Sequence, residues 1–273
     1  MDVITSSQNP RVKRLLRLQQ KSADRRAENL TLVEGLREVA IAAGAGVEIA
    51  ELYTCPALPN AASATAIAAL RVAPTRTWEL APAAFERIAY RDGSDGIVAL
   101  VRPPMRQLAD LHLPPNPLLL VVEAVEKPGN LGALLRTADA AGVDAVLVLD
   151  PRTDVWSPNV IRASIGCAFT RPLIACGRQE GLAWLREQGV QIFAAALTES
   201  ARPYTEADFC GPTALLLGTE ADGLTPATLA AADATVIIPM RGQIDSLNVS
   251  VAAAVLTFEA VRQRGAAAAK RNA

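Results

Sequence analysis

The chain contains few aromatic residues, and this scarcity limits how its core is built. Phe, Trp and Tyr make up only 4% of the 273 residues, whereas hydrophobic residues of all kinds reach 51%. The interior must therefore consist mainly of Ala, Val, Leu and Ile, a composition that suits helices packed on a buried parallel sheet. With a charged fraction of 20%, the chain does not have the composition of a disordered protein.

Cysteine and histidine are also scarce, which makes a metal site a poor expectation. Cys55, Cys167, Cys176 and Cys210 form no C-x-x-C pair, and His112 is the only histidine. Zinc sites in proteins are normally built from clustered Cys and His. Isolated cysteines of this kind are typical of reduced thiols, so we expect no metal and a cytoplasmic protein.

Long hydrophobic runs are missing as well. No uncharged apolar run reaches the roughly 18 residues that suggest a membrane-spanning helix. The N-terminus is polar and then basic, without the apolar region of a signal peptide. We therefore expect no membrane association.

A net charge of −1 conceals a basic segment near the N-terminus. A helix is predicted from about Asn9 to Gln20, and Asp24 is the only acid between positions 11 and 26. Clustered basic side chains of this kind are typical of nucleic-acid contacts. The candidates for such contacts are Arg11, Lys13, Arg14 and Arg17.

Five prolines between positions 102 and 117 indicate a linker between two domains. Residues 1–102 are predicted to form a small α/β domain that contains the basic helix, with strands near 30–33, 49–53 and 96–101. The predicted linker is 103–117, the second domain is 118–265, and 266–273 is expected to be a flexible tail.

The second domain alternates between apolar strands and helices. Strands are predicted near 118–123, 145–149, 171–175, 190–196, 213–217 and 235–238, and a final helix at 247–264 is expected to end at Gly265. The strands are continuously apolar rather than alternating, which favours a parallel sheet covered on both faces.

Three polar clusters follow strands of this domain. In the first, Asn130 is a predicted N-cap, and Arg136 lies in an apolar helix where it needs either an acidic neighbour or a phosphate. In the second, Glu220 sits in a glycine turn. In the third, Ser246 and Asn248 lie at a helix entrance, where they cap the helix or face a ligand. Because ligands bind at the carboxyl ends of parallel strands, one cleft is expected to collect all three.

A weaker feature is the segment from Arg162 to Phe169, in which Ser164 and Gly166 favour close helix packing and Arg162 is a candidate contact for a polyanion.

Other site signatures are missing from the sequence. It contains no G-x-G-x-x-G after a strand, no G-x-x-x-x-G-K-[ST], no H-E-x-x-H and no G-x-S-x-G. A nucleotide-dependent oxidoreductase on an ordinary Rossmann sheet is therefore disfavoured.

The three clusters, taken in order, resemble the motifs of the SpoU (TrmH-like) RNA ribose methyltransferases over residues 118–264. The segment Leu32-Val33-Glu34-Gly35 after the basic helix resembles the small substrate-binding domain common in this family. The motifs are Asn130-x-Gly132-x-x-x-Arg136, Leu217-Gly218-Thr219-Glu220-x-x-Gly223-Leu224, and Ile238-Pro239-Met240 followed by Ser246-Leu247-Asn248-Val249-Ser250.

The resemblance implies a SPOUT-type α/β fold, in which a small α/β substrate-binding domain precedes a parallel sheet with a C-terminal trefoil knot. It also implies a homodimer through the catalytic domain and S-adenosylmethionine as cofactor. The positions it assigns to the cofactor are Leu197, Leu217, Gly218, Ile238, Met240 and Leu247. Those it assigns to catalysis and RNA contact are Asn130, Arg136, Glu220, Ser246 and Asn248.

Three residues depart from the family pattern, namely Lys127, Cys167 and Thr219, and none of them removes a reacting group. Lys127 is expected to contact RNA at the mouth of the site. The implied reaction is methyl transfer to a ribose 2′-hydroxyl of ribosomal or transfer RNA, and the basic N-terminal domain favours ribosomal RNA. We expect Arg136 to stay cationic and to grip a phosphate, although a role as proton acceptor stays open. The alternative function is structured-RNA binding without catalysis.

Overall fold

Two β-sheets organise the chain, one near its N-terminus and one in its C-terminal half. The computed structural model describes residues 3–90, 93–219 and 223–271. The N-terminal unit comprises Met1–Pro104 with Trp156–Thr170, and the C-terminal unit comprises Met105–Val155 with Arg171–Ala273. Each unit is described by itself below.

The elements of the first 104 residues are β1 (Val3–Ile4), α1 (Pro10–Gln20), α2 (Ser22–Glu28), β2 (Thr31–Glu34), α3 (Leu36–Gly44), β3 (Ile49–Thr54), α4 (Ala64–Ala69), β4 (Thr77–Leu80), α5 (Pro82–Phe85) and β5 (Ile97–Val101). The later elements are β6 (Leu118–Glu123), α6 (Pro128–Ala141), β7 (Ala145–Leu149), α7 (Pro158–Ala163), β8 (Leu173–Cys176), α8 (Arg178–Glu187), β9 (Gln191–Ala195), β10 (Arg202–Pro203), β11 (Thr213–Leu217), α9 (Pro226–Leu229), β12 (Ala234–Ile237) and α10 (Val249–Arg271).

The N-terminal sheet is mixed and has the strand order β1-β4-β3-β5-β2. Strand β5 runs antiparallel to both β2 and β3, whereas β4 pairs parallel with β1 and β3. Strands β2, β3 and β5 confirm three sequence predictions, but β1 and β4 were not predicted. The reason is that β1 has only two residues, and β4 buries only Leu80, so neither produces a recognisable apolar pattern.

Helix α1 forms where the sequence predicts it. The Asn9 side chain accepts a hydrogen bond from the backbone N–H of Arg11 at 2.9 Å, and Pro10 occupies the first turn. Val12, Leu15 and Leu18 bury the inner face of the helix. This face packs on the sheet and leaves the basic residues on the outer side.

The C-terminal sheet has seven strands in the order β10-β12-β9-β11-β6-β7-β8, and every pairing in it is parallel. Strands β6, β7 and β11 are buried along their whole length. The predicted parallel sheet is thus confirmed, and the carboxyl ends of its central strands meet at one edge.

The segment 156–170 lies between β7 and β8 in the sequence but belongs to the N-terminal unit. The Thr31 hydroxyl donates a hydrogen bond to the carbonyl of Trp156 at 2.6 Å. At Gly166, a Cβ would lie only 3.2 Å from the Cα of Glu38, so this glycine permits close packing. The predicted boundaries had placed this segment in the second domain.

The prediction that Gly265 ends the last helix is wrong, because α10 continues to Arg271. A glycine ends a helix when its φ is positive, and Gly265 is not among the described residues with positive φ. Alanines at 266–269 follow it, and alanine has the highest helix propensity. Helix therefore occupies most of the segment expected to be a flexible tail. Over the ranges described, no helix has the length and apolarity needed to cross a bilayer.

Candidate functional site

A cavity of about 420 Å³ opens in the C-terminal unit, at the carboxyl ends of β9, β11 and β12 and beside the start of α10. All the residues predicted to bind the cofactor line this cavity. They are Leu197, Leu217, Gly218, Ile238, Met240 and Leu247. The fold thus collects residues that are up to 50 positions apart, from Leu197 to Leu247, around one space of the size that small-molecule ligands occupy.

Leu197 lines this cavity and is unusually exposed for a leucine, because 72% of the residue is accessible to solvent. Large apolar side chains with this exposure are candidates for contact with an apolar ligand surface. Ile238 and Met240 follow β12 and are half-buried. The cavity therefore offers apolar surface that no described side chain covers.

The loop after β11 is built around Gly218. A Cβ at this position would lie 2.2 Å from the backbone C and O atoms of Gly223, so only glycine fits. Thr219 and Gly223 exchange two backbone hydrogen bonds of 3.0 and 3.1 Å, which close the loop. Glu220, predicted to act in catalysis, lies outside the described residues.

A buried carboxylate holds the far end of this loop. Glu123, at the end of β6, is 2% exposed and accepts hydrogen bonds from the backbone N–H and the hydroxyl of Thr225. The hydroxyl of Thr228 donates to the same carboxylate at 2.8 Å, and Arg178 lies 3.4 Å away. Sequence reasoning missed Glu123, although an acid that ends a continuous apolar strand signals a buried network.

The start of α10 brings two predicted catalytic residues together. The Asn248 side chain accepts from the backbone N–H of Ser250 at 3.0 Å and from its hydroxyl at 2.6 Å. Its amide nitrogen donates to the side-chain oxygen of Asn130 at 3.2 Å. Asn248 is thus a helix cap, as one of the two interpretations of this cluster predicts, and it also contacts α6.

Asn130 is not the N-cap that the sequence predicts. Helix α6 starts at Pro128 with Lys127 as its N-cap residue, because proline favours the first helical position. Asn130 therefore lies within the first turn, and its side-chain nitrogen is buried without a hydrogen-bond partner among the described residues. Buried polar atoms are nearly always hydrogen-bonded, so this unpartnered nitrogen is one of the exceptions among the described residues. Lys127 itself is exposed.

Arg136 lies on the exposed side of α6 and is not buried among the apolar residues of this helix. The helix buries Leu131, Leu134 and Leu135 on its opposite side. Among the described residues, Arg136 has no hydrogen-bond or ion-pair partner. Within that part of the chain, the acidic neighbour considered from the sequence is not found.

Ser246 lines the cavity and is exposed, and its hydroxyl donates to the carboxylate of Asp245 at 3.1 Å. No cluster of His, Cys, Asp or Glu suited to a metal ion occurs among the residues that the structure covers.

In the N-terminal unit, acidic side chains form ion pairs with three of the four basic residues predicted on α1. Arg14 contacts Glu28 and Glu51 at 2.6 Å each, and Arg17 contacts Glu28 at 2.8 Å. Arg11 lies 3.6 Å from Glu51 and 3.9 Å above the Trp78 ring. These acids come from α2 and β3, so the local sequence around α1 did not reveal them.

The ion pairs around Arg14 also affect Glu28. Burial raises the pKa of the Glu28 carboxyl, but hydrogen bonds from Arg14 and Arg17 outweigh it and hold the pKa below its ordinary value. Lys13 is the exception on α1, since it is exposed and has no side-chain partner among the described residues. Arg162 belongs to the N-terminal unit, where it is half-buried over the ring of Tyr90.

Comparison with known proteins assigns both parts of the chain. The SpoU rRNA Methylase family matches residues 117–258, and an MRM3-like substrate binding domain matches residues 9–99. An uncharacterized tRNA/rRNA methyltransferase of Synechocystis is 34% identical over 97% of this chain and 95% of its own length. The 23S rRNA (guanosine-2'-O-)-methyltransferase RlmB of Ralstonia nicotianae is 43% identical over 56% of this chain, and the match spans 62% of that relative.

A solved structure agrees with these matches. The AdoMet-bound rRNA methyltransferase from Sinorhizobium meliloti superimposes with a TM-score of 0.85 at 30% identity, over 96% of this chain and 97% of its own. With motifs, sheet and matched regions in accord, the chain belongs to the SpoU rRNA methylase family.

Proposed function

We propose that this protein transfers a methyl group from S-adenosylmethionine to a ribose 2′-hydroxyl of RNA. The observation that carries the proposal is the cavity of the C-terminal unit, which gathers all the residues that the family resemblance assigns to the cofactor. Its relatives are named as ribosomal and transfer RNA methyltransferases, and a structural neighbour is named as AdoMet-bound.

The lining of the cavity suits S-adenosylmethionine. The absence of a side chain at Gly218 lets the backbone of Gly223 approach it closely at the cavity wall, and Leu197 and Leu247 offer apolar surface for a purine ring. Backbone groups after β11 and β12 are available for polar contacts. When bound, the cofactor supplies an electrophilic methyl group on a sulfonium centre.

The chain's own residues must handle the attacking hydroxyl, which is a poor nucleophile until it loses its proton. Arg136 is exposed and unpaired among the described residues, so its guanidinium is available for a phosphate of the RNA. Because arginine stays protonated up to a pH of about 12, we assign it an electrostatic role that lowers the pKa of the nearby hydroxyl. Glu220 orients Arg136 in this proposal.

Asn130 and Asn248 position the ribose. Their side chains are hydrogen-bonded to each other, which fixes both, and Asn248 is the exposed member of the pair that is accessible to a substrate. Ser246 at the cavity wall orients the loop between cofactor and RNA. Aligned reactants of this kind supply a large share of catalysis, about 7–11 kcal/mol in favourable cases.

The proposal extends to RNA contacts by Lys13, Lys127 and Arg162, and more weakly by Arg11, Arg14 and Arg17, whose charges are partly balanced by acids. Ribosomal RNA is the favoured substrate, and the place of action is cytoplasmic. The trefoil knot that the family resemblance implies also belongs to the proposal.

The proposal also includes a homodimer formed through the C-terminal unit. Its support is an apolar stripe on α10, where Val251 and Phe258 are each 48% exposed and lie two turns apart on one side of the helix. Exposed apolar stripes of this kind mark association surfaces. Sedimentation of the purified chain measures the assembly.

The test is methyl transfer from a radiolabelled donor to total cellular RNA that is then separated into ribosomal and transfer fractions. Label on a ribose 2′-oxygen in the ribosomal fraction supports the proposal in full, and the same label in transfer RNA would change only the substrate. Binding of RNA without any transfer, by a protein that also binds no S-adenosylmethionine, would favour the non-catalytic RNA-binding alternative.

A further inference from the structure

An exposed aromatic ring lies beside a cation on the surface of the N-terminal unit. Tyr90 is 57% exposed, and the guanidinium of Arg162 sits 3.4 Å from the centre of its ring. Only one face of a ring is covered by a guanidinium stacked at this distance. Most of Tyr90 is therefore accessible, in a unit that matches a substrate-binding domain.

The backbone of Tyr90 and the side chain of Arg162 each have a further hydrogen bond. The backbone N–H of Tyr90 donates to the carboxylate of Glu34 at 3.0 Å, and Glu34 is a buried residue at the end of β2. Arg162 donates to the side-chain oxygen of Asn159 at 3.1 Å. The guanidinium of Arg162 is thus held by Asn159 and by the ring it faces, which reduces the conformational freedom that it loses when a ligand binds.

The two residues come from different parts of the sequence. Tyr90 lies within the matched substrate-binding region 9–99, whereas Arg162 is on α7, within the matched methylase region 117–258. Helix α7 is capped by Ser157, and its segment packs with the N-terminal unit. The methylase part of the sequence thus completes a surface of the substrate-binding unit.

An open aromatic face beside a guanidinium fits one ligand chemistry well. Unpaired RNA bases stack on aromatic side chains and arginine planes, while the adjoining phosphate attracts the positive charge. A double helix hides the faces of its bases and does not offer this contact. We propose that Tyr90 and Arg162 form a stacking site for an unpaired RNA nucleotide, an inference that rests on the proposed function.

The test is binding of a short single-stranded oligoadenylate that carries one 2-aminopurine, whose fluorescence falls when it stacks. We expect the wild-type chain to quench this fluorescence, and Tyr90→Leu to bind about tenfold more weakly because it keeps bulk but lacks a π-face. Tyr90→Phe retains the ring, so its affinity is expected to stay within about twofold of wild type. Arg162→Lys keeps the charge but loses the planar group, and weaker quenching is expected.

The control variant is Tyr204→Ala, which removes a half-buried tyrosine from the C-terminal unit and is expected to leave quenching unchanged. Thermal unfolding verifies that each variant is folded. If Tyr90→Leu is not folded, Arg162→Lys is used to test the inference. Wild-type affinity in Tyr90→Leu or Arg162→Lys, no binding by the wild-type chain, or preference for the duplex form of the probe would each overturn the inference. This binding assay needs no methyl donor, so it is read independently of methyl transfer by the wild-type chain.

Discussion

Arginines on two helices of this protein have opposite surroundings. On α1 of the N-terminal unit, Arg14 contacts two carboxylates at 2.6 Å each. On α6 of the C-terminal unit, Arg136 is exposed and meets no acid among the described residues. Sequence alone favoured α1 as the basic surface and placed Arg136 among apolar neighbours. The difference teaches that a positive charge points to a ligand only where the fold leaves it unpaired.

The largest expected effect comes from replacing Arg136. Arg136→Ala should lower the rate of methyl transfer by at least about 10²–10³-fold, because it removes a charge that stabilises the reacting oxygen. Binding of S-adenosylmethionine should change little, since Arg136 does not line the cavity. Single-turnover rates and calorimetric titration of the cofactor measure the two effects separately.

The control for this variant is Arg202→Ala, which removes another exposed arginine of the C-terminal unit that lies outside the cavity. It should leave both measurements unchanged. Loss of cofactor binding in Arg136→Ala would make the arginine structural and remove the contrast with α1.

The next effect concerns the cofactor loop of the C-terminal unit. Gly218→Ala should weaken S-adenosylmethionine binding by about 1–3 kcal/mol, because the new Cβ would lie 2.2 Å from the backbone of Gly223 and the loop must shift. Gly211→Ala is the matched control, since a Cβ there meets nothing within 4 Å. Equal cofactor affinity in the two variants would argue against a tightly closed loop.

A smaller effect separates two neighbours on α1. Lys13→Ala should reduce the slope of log affinity against log salt for RNA binding by about one, since an exposed, unpaired lysine contacts one phosphate. Arg14→Ala should change the slope less, because two acids already balance its charge. Filter binding over a range of salt concentrations measures the slopes, and a larger drop for Arg14→Ala would reverse the comparison drawn here.

The smallest effect is the pH dependence of the ion pairs at α1. The pKa of Glu28 is held below its ordinary value, so its contribution to stability is present above the unfolded-state pKa of about 4.3 and is lost as the pH falls through the folded-state pKa. Glu28→Gln should therefore lower the free energy of unfolding at neutral pH by about 1 kcal/mol at most, and by less in acid. Urea unfolding at several pH values measures this, with the exposed Glu187→Gln as control. A difference that stays constant with pH would contradict it.

The sequence predicts the C-terminal sheet well because buried strands produce a recognisable local pattern of apolar residues. Strands 118–123, 145–149 and 213–217 were predicted with the bounds that the structure has, since a strand buried on both faces is a continuous apolar run. The cavity was predictable only in part. Parallel strands bring the residues that follow them to one edge, and residues of the second and third clusters line it, but Asn130 and Arg136 of the first cluster do not.

What the sequence did not predict depends on contacts between distant residues. The acids that pair with Arg14 lie 14 and 37 positions away, and the threonines that bind Glu123 lie 102 and 105 positions away. The end of α10 was missed for another reason. Gly265 is a glycine, which often ends a helix, but it does not have the positive φ with which glycine does so.

The measurement that tests the account most directly is mass spectrometry of the nucleosides from RNA methylated by the purified protein. The account predicts a nucleoside whose new methyl group is on the ribose 2′-oxygen, formed by the wild-type chain and by Arg202→Ala but not by Arg136→Ala. A methyl group on a base, or equal product from Arg136→Ala, would contradict the assignment of the cavity and of Arg136 to ribose methylation.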